Sequence, residues 1–175
     1  MSIVDFLKQH FWVGILGVVL IIIVVMIIGR FQMYYKINNE KNLLLEPSSN
    51  NNVSVIEEKD LEGLPEPVRK WLRVTGVVGN KRIQTLSFSQ RGKMKLNQED
   101  DKWLKPVAQQ FVNVKEPGYL WHVDLPMIPF INTKGRDFFY EGKGYMEIRI
   151  ASTIRVVNEK ENEKLSESSL HRFLL

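Results

Sequence analysis

His122 and Asp124 stand two residues apart in PGYLWHVDLP, residues 117–126. On an extended strand they share a face, the geometry in which a carboxylate orients an imidazole for acid–base work. The sequence places no serine, threonine or lysine beside them to be activated. Arg136 and Asp137 are adjacent in GRDFFYEGKG, residues 135–144. On a strand they point to opposite faces and cannot pair. An inward Arg136, on the face of Phe138 and Tyr140, needs a carboxylate such as Asp124 or Glu141. A partnered structural ion is the simplest account; contact with a ligand headgroup is the alternative. The three histidines are scattered with no His-x-His or HExxH pattern, so no metal site is expected. Gly-Lys-Gly at 142–144 is too short for a phosphate loop and leads from strand to strand. There is no cysteine, which excludes disulfides, thiolate metal sites and cysteine nucleophiles. With no recognisable catalytic constellation, the expectation leans away from an enzyme and includes no cofactor.

The other chemical resource is aromatic: Trp103, Phe111, Tyr119, Trp121, Phe138, Phe139 and Tyr140. Most of these must be core. A sheet with one apolar face and few covering helices leaves a cleft, and such sites are apolar with a few polar groups. Trp103, Trp121, His122, Arg136, Phe138 and Tyr140 are the candidate ligand contacts on this reading.

These residues must be held by elements legible in the pattern. Phe11–Gly29 is apolar throughout and uncharged. As a helix it spans roughly 28 Å, close to the hydrocarbon thickness of a bilayer. Trp12 lies at one end; Phe31, Tyr34 and Tyr35 lie at the other, as an aromatic belt requires. Residues 2–10 have an apolar face suited to the interface. The run is too long for a signal peptide and is followed by bulky residues, so an uncleaved single-pass membrane anchor is expected over residues 1–36. Orientation stays open, because Lys8 and the α-amine oppose Arg30, Lys36 and Lys41. The net charge is +4 over 175 residues, too weak and mixed for a nucleic-acid footprint.

Residues 37–59, with Pro47 followed by Ser-Ser-Asn-Asn-Asn, read as a flexible linker in which Leu43–Leu45 touches the membrane or docks on the domain. Residues 60–175 form the domain. A short helix is expected around Val68, Trp71 and Leu72, packing its stripe into the core. Period-two patterning then predicts five long strands, at 82–96, 102–114, 117–126, 130–142 and 145–157. Short turns between them imply an antiparallel meander. A helix capped by serine is expected in SESSLHRFLL. The fold class is α+β: a transmembrane helix, then a curved antiparallel sheet packed with one or two short helices, its covered face apolar.

LPEPVRKWLRVTG, RGKMKL, KWLKPVAQQF, PGYLWHVDLP, GRDFFYEGKGYM and SSLHRFL occur in order over about residues 61–175. Together they resemble an uncharacterised bacterial membrane-associated family, a domain of unknown function. The resemblance implies hallmark positions at Trp103, Gln109, Trp121, Arg136, Asp137, Gly142, Gly144 and Arg172. It adds Gln109 to the ligand candidates and gives Asp137, Gly142, Gly144 and Arg172 structural roles. It also implies that the domain continues past the last helix, which makes this chain a shortened member or a fragment. The expected function is a membrane-anchored binding module for a lipid or other hydrophobic molecule. A structural or interaction protein with a filled core is the alternative, and a hydrolase using His122 and Asp124 comes third. The bilayer, through Phe11–Gly29, is the expected partner, with no nucleic acid.

Overall fold

The computed structural model describes residues 3–46, 54–99, 101–128 and 131–174. The longest element is α1, Ile3–Leu45, 43 residues and about 65 Å long. The helix does not stop at the end of the apolar run. It continues through the segment expected to be linker, because Lys36, Ile37, Glu40, Lys41 and Leu44 recur at helical spacing and find partners on the sheet. The Pro47 and Ser-Ser-Asn-Asn-Asn part of that segment lies outside the described residues.

Six strands follow: β1 Thr85–Arg91, β2 Val107–Asn113, β3 Gly118–Ile128, β4 Ile131–Tyr140, β5 Lys143–Ile150 and β6 Ile154–Lys160. They form one open antiparallel sheet in sequence order. β1, β2 and β4 are shorter than expected, whereas β3 runs past its expected end to Ile128. The predicted fifth strand is two, because Ala151 and Ser152 take φ of 53° and 59° and turn the chain. β6 continues through polar Asn158 and Glu159; an edge strand needs no apolar face. Bulges interrupt the β3–β4 and β5–β6 registers.

The β4–β5 hairpin has a two-residue turn, with Tyr140 opposite Lys143, Phe139 opposite Gly144 and Phe138 opposite Tyr145. Tyr145 therefore faces Phe138, and Tyr140 has no aromatic residue opposite it. Glu141 and Gly142 hold φ of 50° and 76°, as a primed hairpin turn demands. Gly144 does not take positive φ. It is glycine because a Cβ there would lie 2.8 Å from the Ser169 hydroxyl and 3.0 Å from Leu165.

Ser169 and Leu165 belong to α3, Glu163–Leu174. Its cap is Asn162, whose Oδ1 accepts from the amides of Lys164 and Leu165, not a serine. α3 covers part of one sheet face, stacking Phe173 on Phe139. A 3₁₀ turn at Glu58–Leu61 precedes α2, Glu66–Val74. Pro67 sits in the first turn of α2, but the helix has no buried residue and Trp71 is 62 % exposed. Its apolar stripe does not pack into the core.

α1 covers the opposite face. Leu44 is fully buried in a cluster with Phe111, Leu120 and Phe138, flanked by Ile37, Tyr140 and Tyr145. Asn113 Nδ2 donates to the Leu44 carbonyl at 2.8 Å, while its Oδ1 accepts from the amides of Lys115 and Glu116 in the β2–β3 turn. At the other end of the sheet the β5–β6 turn closes on the helix. A Cβ at Gly29 would lie 2.7 Å from the Ser152 carbonyl. The sheet therefore stands against α1 from Gly29 to Leu44, starting where the apolar run ends.

Candidate functional site

The register sorts the side chains of the sheet into two faces. Gln109, His122, Arg136 and Glu147 lie in one row across β2–β5, and Val107, Asp124, Lys134 and Arg149 in the next. Both rows face α1. Ala108, Val123, Gly135 and Ile148 form a row on the open face, beside Trp121, Asp137 and Met146.

The α1 face carries a buried charge cluster. Arg136 NH1 donates to both Glu40 carboxylate oxygens, at 2.9 and 3.0 Å. The partner of Arg136 is thus on α1, not Asp124 or Glu141 as the strand pattern suggested. Glu147 is 1 % exposed and accepts from Lys36 Nζ at 2.6 Å and from Arg149 Nε at 2.6 Å. Arg155 Nε lies 3.2 Å from the same carboxylate and Arg136 Nε 3.9 Å from it. Burial alone would raise the Glu147 pKa; the bonds from Lys36 and Arg149 overcome it and hold the carboxyl at about 2. Burial raises the pKa of Glu40 against the pull of Arg136 and Lys36. A buried cluster of this kind fixes one register between helix and sheet more surely than it adds stability. It makes the covered face of β5 the charged one, contrary to the expectation that the apolar face would be covered.

The open face holds a trough of about 480 Å³. Its walls are Met94, Pro106, Trp121, Leu125, Met146 and Ile148. Gly135 keeps the floor low, since a Cβ there would press on Val123 at 3.0 Å. Asp137 and Arg172 close one end, joined at 2.6 Å. Asp137 Oδ2 also accepts from the Tyr119 hydroxyl at 3.1 Å, while its buried Oδ1 has no hydrogen-bond partner among the described residues. Burial pushes the Tyr119 phenol up to about 12. The Arg172 guanidinium stacks over Trp121 and Tyr119 at 5.0 and 5.4 Å. Trp121 Nε1 donates to Gln90 at 2.9 Å.

A second cavity, about 740 Å³, lies between α1 and β2–β4, with Arg30, Tyr34, Lys41, Phe111, His122 and Lys134 in its walls. His122 stacks on Phe111. Burial lowers the His122 pKa, against the pull of Asp124, so the ring is neutral at pH 7. The Asp124 carboxylate is engaged by Lys134 Nζ at 2.5 Å rather than orienting the imidazole.

The sequence candidates are therefore not gathered into one site. Trp121 lines the trough. His122 and Gln109 line the cavity on the opposite face. Arg136 and Phe138 are buried beneath α1, and Tyr140 stacks on Phe138. Trp103 is 55 % exposed, with Lys95 over its ring at 5.2 Å. Of the positions given structural roles, Gly142 makes the hairpin turn, Gly144 admits α3, and Asp137 and Arg172 form the ion pair that pins α3 to the sheet. Val123, Leu125, Met146 and Ile148 were not singled out. They alternate along their strands, but alternation alone does not say which apolar rows stay uncovered.

A family model, Family of unknown function (DUF6920), matches residues 62–175. The chain belongs to this family. The DUF6920 region holds every trough residue, whereas Lys36 and Glu40, which complete the charge cluster, come from α1 outside it. No curated protein and no solved structure matches the chain significantly. Among the described residues one helix, near the amino terminus, is long and apolar enough to cross a membrane. That helix and the DUF6920 region together fit a membrane-anchored protein of unknown function.

Proposed function

We propose that the chain is an uncleaved single-pass membrane protein whose DUF6920 domain binds a hydrophobic or amphiphilic molecule, of which an acyl chain is the simplest, in the open-face trough. The trough carries the reading. Its size falls within the range of small-molecule sites, its walls are mostly apolar, and the Asp137–Arg172 ion pair lies at one end. Arg172, its side chain partly exposed, supplies a cation for a polar head. Leu125 and Thr133 line the other end. Thr133 pairs with Ile150, just before the turn that touches Gly29, so the end away from Arg172 lies on the bilayer side. Retention of the anchor is supported by α1 itself. The helix that carries the apolar run also buries Met33 and Leu44 and supplies partners for Arg136 and Glu147. Cleavage after the run would sever it from its sheet-packed half.

Lipid extracted from the purified chain and analysed by mass spectrometry should contain a tightly held species. Val123→Trp, which fills the trough, should abolish retention and binding of a fluorescent acyl probe while the protein melts as wild type. Unchanged retention in a folded Val123→Trp protein would sink the reading. A second reading, an interaction protein, is favoured by one observation: α2 leaves Trp71 and Val74 62 % and 78 % exposed on a helix with no buried residue. A photo-crosslinker at position 71 that captures one discrete protein partner would move the assignment there.

A further inference from the structure

We propose a second site, for the phosphate headgroup of an anionic phospholipid, in the cleft between α1 and strands β2–β4. It rests on the reading of Phe11–Gly29 as a membrane span and is independent of the trough, which lies on the other face. The cavity of about 740 Å³ shares Ile27, Arg30 and Lys134 with a smaller one of about 190 Å³ that reaches Ile23 and Met26. One cleft therefore runs from side chains inside the apolar run to side chains beyond it. Along α1 it covers Ile23 to Lys41, roughly 27 Å. The lower part offers Ile23, Met26, Ile27 and Phe31 to an acyl chain. The upper part offers Arg30, Lys41 and Lys134, with Asp124 the one carboxylate in its walls among the described residues.

Asp124 is spent on Lys134. Arg30 has no ion pair among the described residues, and Lys41 rests over the Phe111 ring at 5.0 Å without one. Two cations thus lack a counter-charge, and Arg30 is the first charged residue after the run, at the depth where lipid phosphates lie. Tyr34 and neutral His122 add hydrogen-bonding groups. A zwitterionic lipid would bring its own cation into a wall already short of anions. An anionic glycerophospholipid meets that wall with one uncompensated negative charge.

The test uses the full chain in detergent with equal amounts of phosphatidylglycerol and phosphatidylcholine, read by native mass spectrometry. Phosphatidylglycerol should be retained preferentially. Arg30→Gln and Lys134→Gln should each lower that preference roughly fivefold, the equivalent of about 1 kcal/mol per cation near a membrane surface. Arg30→Lys should keep it, and so should Val123→Trp and Lys59→Gln. Equal retention of the two lipids, or loss of preference in Lys59→Gln as well, would overturn the site. Displacement of the lipid by millimolar inorganic phosphate would assign the cleft to a soluble anion and overturn the lipid. Carbonate extraction separates this failure from that of the span: a chain released from membranes refutes the span, whereas an integral chain without preference refutes only the cleft.

Discussion

Replacing Glu147 by glutamine should cost the protein roughly 3 kcal/mol and remove most of its acid sensitivity. In the folded state the carboxyl is 1 % exposed and titrates at about 2, against 4.5 when unperturbed. Its folded pKa is depressed, so the stability it contributes is present above the unfolded value and is lost as pH falls from about 5 towards 2. At 1.36 kcal/mol per unit that shift is worth about 3 kcal/mol. The glutamine variant mimics the protonated side chain, leaves Lys36 and Arg136 with Glu40 alone and takes from buried Arg149 its ion-pair partner, a stranded buried charge of the kind that costs about 3–5 kcal/mol. For a chain of this length the loss is roughly 6–12 °C in melting temperature. Glu40 acts in the opposite sense. Burial raises its pKa, so it gains stability as pH falls and partly offsets the Glu147 limb in the wild type. Thermal unfolding of both proteins in one detergent, from pH 7 to pH 3, reads all of this. The wild type should lose stability across that range. The variant should start lower and lose less. A variant that melts like wild type at pH 7, or keeps an acid limb of the same size, would refute the burial and bonding assigned to Glu147.

Arg136→Ala should destabilise by roughly 3–5 kcal/mol, because Glu40 is left buried without its partner; the double variant with Glu40→Ala should recover part of that in an unfolding cycle, and strict additivity would contradict the pair. Gly144→Ala should cost more than Gly142→Ala, as the first pushes α3 off the sheet and the second only strains a turn at roughly 1–2 kcal/mol; melting temperatures in the reverse order would contradict the α3 packing. Two lysines added before Phe11 should move the sheet-bearing end outward in a reporter fusion if local charge sets topology; an unmoved reporter means that something else does.

The antiparallel meander, the apolar helix and the two-glycine hairpin region were legible because each is written in local periodicity or turn chemistry. The pairing of Arg136 was not. Its partner lies 96 residues away, in a segment whose composition reads as a solvated linker. The available signal was the spacing of Lys36 and Glu40, four residues apart and so on one helical face, but spacing cannot say that a sheet of opposite pattern stands beside it. Trp71 misled for the complementary reason. A stripe at helical period marks one side of a helix as apolar without guaranteeing anything to cover it. The site candidates scattered because strand alternation separates neighbours such as Trp121 and His122 onto opposite faces. Which of those faces remains open depends on where α1 and α3 land.

Because α1 runs unbroken from the apolar run into its seat on the sheet, the protein is mounted on a shaft rather than hung from a string. A flexible tether would let a domain tumble above a bilayer and sample every heading. Here the azimuth and height of the trough are fixed by the roll and tilt of one helix. Each residue inserted into the apolar run ahead of Ile23, where the helix first meets the sheet-side cleft, would swing the sheet by about 100° relative to the far end of the run and lift it by about 1.5 Å. With Phe11–Gly29 in a bilayer as proposed, changes in bilayer thickness that tilt the helix would be handed directly to the sheet as rotation, and the lipid environment would steer the direction in which the open face looks.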